Sequence, residues 1–198
     1  MMTIGVILAG GKSVRMGKDK ALLNIEDQSM LARTYQTLSK TSVSKTVISR
    51  NDGLKGHFAD IIGSKGPLSG IHSIAMRFPF SNLLIVPVDL PLMHVDALQA
   101  LIDKGQDTRN NVRYGKHSLP LFLHNTKTLK QTLDYTLRCT NSYSVDGFCS
   151  HFPLVELHAN KQSSLFNANT PDKWRAAMQH FFPNTLKNFS EVVNEPFK

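Results

Sequence analysis

The sequence predicts an α/β protein, a single domain built on a doubly wound, mostly parallel sheet. Three observations carry this. Short β-branched and apolar runs alternate with stretches of helical periodicity. The first run, Ile4 to Leu8, is continuously apolar and leads into Gly10-Gly11, the pattern of a strand buried on both faces. The 198 residues, 41% hydrophobic and 19% charged, suffice for one core and argue against disorder or a fibrous protein.

The elements follow in order. Ile4 to Leu8 is the first strand. Ser29 to Lys40 carries helical apolar spacing through Met30, Leu31, Tyr35 and Leu38. Lys45 to Ser49 is the second strand, and Ile61-Ile62 closes a short third. Pro67 to Phe78 reads as a helix with Pro in its first turn. Leu83 to Val88 is the strongest strand signal in the chain. Val95 to Lys104 is helical and stops before Gly105. Asn111 to Tyr114 and Leu119 to Leu123 are strands around Gly115. Asn125 caps a helix to Arg138, and Phe152 to His158 is another strand. Asn169-Thr170-Pro171-Asp172 opens a last helix through Phe182, which Pro183 ends. Residues 1–182 are the expected domain, and 183–198 a polar tail expected to be poorly ordered. Met30, Phe78, Phe80 and Trp174 are expected in the core.

Composition narrows the function. A net charge of +8 suits nucleic acid, an acidic membrane or a phosphate-rich small substrate equally well. Cys139 and Cys149 form neither a CxxC pair nor a disulfide framework, so no zinc or redox site is indicated. The apolar runs are too short for a signal peptide or a membrane span, which predicts a cytoplasmic protein with no membrane contact.

In a doubly wound sheet ligands sit at the carboxyl ends of the strands. After the first strand comes Leu8-Ala9-Gly10-Gly11-Lys12-Ser13-Val14-Arg15-Met16-Gly17-Lys18-Asp19-Lys20. Its glycines let the backbone approach a ligand and its cations attract phosphate oxygens. It is neither a GxxxxGK[ST] loop nor a GxGxxG fingerprint. The plain alternative is a glycine-rich turn with a solvated basic rim.

This stretch resembles the signature of the molybdenum cofactor guanylyltransferases, a family of nucleotidyltransferases. Three further blocks match the family in order: Gly66-Pro67-Leu68-Ser69-Gly70-Ile71, Pro87-Val88-Asp89-Leu90-Pro91 and Asn167-Ala168-Asn169-Thr170-Pro171. The resemblance spans residues 4 to about 175. It implies a Rossmann-like fold of the nucleotide-diphospho-sugar transferase type. It also implies a reaction in which GTP and molybdopterin cofactor give the guanine dinucleotide cofactor and pyrophosphate, with Mg²⁺. The attacking pterin phosphate is already an anion, so charge neutralisation and in-line positioning are needed rather than a base.

Carried over residue by residue, the resemblance makes Arg15, Lys20 and Asp89 catalytic, with Asp89 the metal ligand. Mg²⁺ commonly takes one or two carboxylates plus phosphate and water. Leu8, Ala9, Gly10, Gly11, Lys20, Asn51, Asp60 and Asp89 bind nucleotide. Asp60 precedes Gly66 with one residue fewer between them than in the family, and the register around Ser49-Arg50-Asn51 is open. Relatives using CTP or UTP tend to carry L-A-A-G at Leu8-Ala9-Gly10-Gly11, so the missing methyl at Gly10 leaves room for a purine. Asn167, Asn169, Lys116 and His117 face the molybdopterin side, although Asn169 equally fits a helix cap. Delivery of an unstable cofactor implies transient contact with cofactor-insertion or recipient molybdoenzyme proteins.

Three other readings compete. One is a CTP-dependent molybdopterin cytidylyltransferase or a sugar-phosphate nucleotidyltransferase of the same fold. The second is a basic nucleic-acid-binding module, but the cationic loop holds no aromatic residue and no RNP, KH or zinc-finger pattern occurs. The third is an inactive accessory protein, against which the intact Arg15, Lys20 and Asp89 argue.

Overall fold

The computed structural model describes residues 1–11, 19–63 and 65–182. The nine strands among them are β1 (Thr3–Leu8), β2 (Asn24–Ile25), β3 (Gln28–Ser29), β4 (Lys45–Ser49), β5 (His57–Phe58), β6 (Asn82–Pro87), β7 (Asn111–Tyr114), β8 (Leu121–Leu123) and β9 (Leu154–Leu157). The helices are α1 (Met30–Ser39), α2 (Pro67–Arg77), α3 (Val95–Thr108), α4 (Lys127–Cys139), α5 (Val145–Cys149) and α6 (Pro171–Phe181). Seven strands form one sheet in the order β5-β4-β1-β6-β8-β7-β9, and β2 and β3 form a separate hairpin. Within the main sheet every described pairing is parallel except those of β8 with β6 and with β7. The mostly parallel α/β sheet expected from the sequence is the observed architecture.

Strand alternation divides the core in two. Ile4, Val6, Leu83, Ile85, Leu121 and Leu123 point to the face covered by α2, α4 and α5. Ile7, Leu84, Val86 and Phe122 point to the face covered by α1, α3 and α6. Burial on both faces is why β1 and β6 are continuous apolar runs; each buried Leu, Ile or Val contributes about 1.5–3 kcal/mol. The strands expected at Ile4 to Leu8, Lys45 to Ser49 and Leu83 to Val88 appear as Thr3–Leu8, Lys45–Ser49 and Asn82–Pro87.

Several local expectations are corrected by tertiary contacts. The short strand expected at Ile61-Ile62 is instead His57–Phe58, which pairs with Ile48 and Ser49. The chain has left the sheet by then: the Ile61 amide donates to Ser73 Oγ, and Ile61 is 50% exposed. The third helix does not stop before Gly105 but runs to Thr108, and Arg109 closes it in the left-handed conformation. Gly105 is a packing residue: a Cβ there would lie 2.2 Å from the Phe122 ring. Asn125 does not cap the fourth helix. Thr126 does, accepting from the Leu129 amide, while the buried Asn125 amide donates to the Ala75 and Phe78 carbonyls at the end of α2. Phe80, expected in the core, is 83% exposed; Met30 is buried, and Phe78 and Trp174 pack against the core. Strand β8 starts at Leu121 and not Leu119, and β9 spans Leu154–Leu157 rather than Phe152–His158. The expected tail, 183–198, lies outside the described residues.

Candidate active site

Chain order reverses at β1, which lies between β4 and β6. Such a reversal opens a crevice beyond the strand ends. The ladder continues past them: Ala9 N–H donates to the Ser49 carbonyl at 3.0 Å and Val88 N–H to the Leu8 carbonyl at 3.2 Å. A cavity of about 750 Å³ opens there.

Leu8, Ala9, Gly10 and Gly11 from β1 line it, as do Asn51 and Asp60 beyond β4. Lys20, Asp89, His117 and Asn167 line it too. Gly66, Pro67 and Gly70 bring the start of α2 to the same wall. All four sequence blocks therefore meet at one cavity. Asn169 joins through Lys20, whose ammonium donates to its side-chain carbonyl. Lys116 is exposed in the turn before His117 and is not among the lining residues, so it is not brought to the cavity as expected. Arg15, with Lys12 and Lys18, lies outside the described residues.

Lys20 and Asp89 form the cavity's central ion pair, with Lys20 Nζ 3.3 Å from Asp89 Oδ2. Asn167 Nδ2 donates to Asp89 Oδ1 at 3.4 Å, and Ala168 N–H donates to the Asp89 carbonyl at 3.0 Å. The segment before α6 is thus bonded to the end of β6. Thr170 caps α6 by accepting from the Lys173 amide, which frees Asn169 for Lys20 and removes the capping alternative for Asn169. The Asn167 side-chain carbonyl is buried without a hydrogen-bond partner, an acceptor available to a ligand.

On the opposite side, Asn51 and Asp60 hold each other. Asn51 Nδ2 donates to Asp60 Oδ2 at 2.8 Å, and the Asp60 amide donates to Asn51 Oδ1 at 2.7 Å. Of the open stretch Ser49-Arg50-Asn51, both Ser49 and Asn51 line the cavity and Arg50 does not. Gly10 needs neither a left-handed backbone nor extra room: a Cβ there would lie 3.9 Å from its nearest neighbours, Arg50 Cα, Asn51 Nδ2 and the Ser49 carbonyl. A turn requirement does not explain this glycine. Gly66 and Gly70 differ. Gly66 has φ +67°, and a Cβ on Gly70 would lie 2.4 Å from Ser49 Oγ. Gly66 starts α2 without a side-chain cap, so the positive end of an eleven-residue helix lies at the cavity wall; Pro67 has no amide to offer, and the Ser69 amide donates to the Gly66 carbonyl at 3.1 Å.

Sequence reasoning missed Arg50. It donates to the Ala9 carbonyl at 2.9 Å, to both Asp19 oxygens and, through Nε, to Asp52 at 2.6 Å. The Arg50 hydrogen bond is the largest influence holding the Asp19 carboxyl below its ordinary range. Asp52 is pushed up by desolvation, but hydrogen bonds from His57, the Leu54 amide and Arg50 carry it down to about 2. Nothing in the spacing marks Arg50; its partners Ala9 and Asp19 stand 41 and 31 positions earlier.

Among the described residues no three His, Cys, Asp or Glu side chains cluster as a metal cage. Asp89 offers one partly exposed carboxylate at the cavity. That donor set suits Mg²⁺, which keeps water and takes phosphate oxygens, and does not suit zinc. Cys149 is buried and desolvation pushes its thiol up to about 11, which leaves it unreactive. No helix among the described residues is long and apolar enough to cross a membrane.

Residues 5–142 match the family model described as the MobA-like NTP transferase domain. A probable molybdenum cofactor guanylyltransferase of Pelotomaculum thermopropionicum is 30% identical, with 86% of this chain and 89% of that protein covered. A molybdenum cofactor guanylyltransferase of Xanthomonas euvesicatoria is also 30% identical, over 86% and 91% of the two chains. The crystal structure of molybdopterin-guanine dinucleotide biosynthesis protein A from Archaeoglobus fulgidus superposes with a TM-score of 0.76. It shares 17% identity and covers 92% of this chain and 100% of its own.

Proposed function

The chain belongs to the MobA-like NTP transferase family, and on that premise we propose that it transfers GMP from GTP to molybdopterin cofactor. The carrying observation is that four sequence blocks, separated by up to about 160 residues, surround one cavity at the switch point of the sheet.

The terminal phosphate oxygen of molybdopterin attacks the α-phosphorus of GTP in line. A new P–O bond forms, the bond to the bridging oxygen of the β-phosphate breaks, and pyrophosphate leaves. No side chain need take a proton from a phosphate already ionised. The protein's task is to bring anions together. Lys20, the positive end of α2 and Arg15 neutralise the triphosphate. Asn51 and Asp60 take the guanosine side, Gly10 leaving space there for the larger base. Asn167, Asn169 and His117 take the pterin side, where the unpartnered Asn167 carbonyl accepts a pterin N–H. Asp89 would hold Mg²⁺, whose charge further lowers repulsion among the phosphates. Lys20 and Asn167 orient the Asp89 carboxylate for that purpose. Transient handover of the product to insertion or recipient molybdoenzymes completes the role.

The test is pyrophosphate release from molybdopterin cofactor with GTP or CTP in Mg²⁺. The reading expects GTP to be preferred. Asp89→Asn should lose activity by about 10²-fold or more at unchanged circular dichroism. Preference for CTP, or full activity of Asp89→Asn, would overturn the corresponding assignment.

A further inference from the structure

Arg50 is not among the residues that line the cavity but stands behind two that do, Ala9 and Asp19, and its side chain is only 13% exposed. Its charge is already matched by Asp19 and Asp52, which makes it a poor phosphate ligand. What it joins is more informative. The Ala9 carbonyl follows β1 directly, and Asp19 immediately precedes Lys20. One planar guanidinium thus bonds two points of the backbone and side chains that stand ten positions apart and bracket the glycine-rich stretch. Asp19 also accepts from the Ala21 amide at 3.0 Å, so the same carboxylate shapes the turn Lys20–Leu22 that carries Lys20. Behind the guanidinium, Asp52 holds Nε and lies 2.8 Å from His57 Nδ1 on β5. The rotation of Arg50 is therefore set from the sheet edge, and its two forward bonds transmit that orientation to Gly10 and Lys20.

We propose that Arg50 is a positioning residue for the nucleoside triphosphate: it ties Ala9 to Asp19 and so sets Lys20 and the Gly10 peptide at the distance that accepts the phosphates. The inference deepens the nucleotidyltransferase reading and rests on it. It needs a fork of coplanar donors, which Arg has and Lys lacks. Arg50→Lys keeps the charge and removes the double attachment. Asp19→Asn removes the ion pair and keeps an acceptor for the Ala21 amide.

Both variants should raise KM for GTP by about tenfold or more, since small misplacement of a binding group is costly. KM for molybdopterin, bound across the cavity, should not change. A purely structural role would lower the active fraction and leave both KM values alone. The double variant should be no worse than either single one, because both break the same link. A second readout needs no nucleotide. The Ala9 carbonyl and the Gly10 N–H belong to one peptide group, so the Gly10 amide resonance should move in Arg50→Lys while those of β9 stay. An unmoved Gly10 resonance, an unchanged KM for GTP or additive effects would each overturn the proposal. If the wild-type chain released no pyrophosphate from any triphosphate, the nucleotidyltransferase reading would fall. A moved Gly10 resonance would then show the tether alone, and the assignment of Arg50 to triphosphate positioning would fall with that reading.

Discussion

Replacing Gly10 by Ala separates stability from selectivity. The new methyl would lie 3.9 Å from Arg50 Cα, Asn51 Nδ2 and the Ser49 carbonyl, which is ordinary van der Waals contact. No backbone strain is added, because Gly10 is not left-handed. Removing a glycine's freedom from the unfolded chain then stabilises the fold by about 0.4–1 kcal/mol. The methyl also enters the cavity wall beside the Asn51–Asp60 pair. One methyl in a base pocket alters discrimination by about 1–3 kcal/mol, or roughly 10- to 200-fold. The expected outcome is an unchanged or slightly raised denaturation midpoint with a fall of that order in kcat/KM for GTP relative to CTP. The assay is pyrophosphate release with each triphosphate, run beside urea unfolding of the same preparations. A loss of stability would mean that the glycine serves the backbone after all. An unaltered GTP-to-CTP ratio would mean that the base lies elsewhere.

Two further outcomes follow from the packing. Gly105→Ala would place a methyl 2.2 Å from the fully buried Phe122 ring, which has no room to retreat. Overpacking costs about 1–3 kcal/mol and the helix propensity of Ala returns at most about 1, so urea unfolding should show a net loss of about 1–2 kcal/mol; a neutral or stabilised variant would contradict the contact. Burial also depresses His72, whose Nε2 lies 3.2 Å from Asp134 and whose Nδ1 is buried without a partner, and it depresses His124 near Arg109. An unfolded histidine titrates near pH 6.5, so below that pH the unfolded chain binds protons the folded chain refuses. Stability should therefore fall as pH drops from 7.5 to 5.5, and His124→Asn should flatten the fall; a Tm independent of pH across that window would refute the burial argument.

The parts of the fold that were legible are those where one physical cause dominates. β1 and β6 are apolar throughout because helices cover both faces, and that leaves an uninterrupted run in the sequence. β5 has no such cause. His57 and Phe58 are held by the ladder to Ile48 and Ser49, while the more strand-like Ile61-Ile62 bends away to Ser73. Gly105 and Asn125 carry familiar stop and start signals, yet Phe122 and the end of α2 decide their roles. The cavity lining was legible in blocks because its glycines and short spacings stand close together in the sequence. Arg50 was not, since a guanidinium can span elements far apart in sequence and leaves no spacing behind. Lys116 shows the reverse: adjacency to His117 in sequence does not put it among the residues that line the cavity, because the two stand on a turn.

The bonds from Asn167, Ala168 and Asn169 back to Asp89 and Lys20 have a consequence for synthesis. A growing polypeptide folds from its N-terminal side as it leaves the ribosome. β1, β4 and β6 are then present long before the segment around residue 168 emerges. Until it does, Asp89 and Lys20 lack the bonds from Asn167, Ala168 and Asn169, and the cavity lacks the part of its wall that Asn167 supplies. The segment 167–169 acts as a completion mark: a chain interrupted before it would already hold the ends of β1, β4 and β6 with Lys20 and Asp89, but the cavity at those ends would stay open on one side.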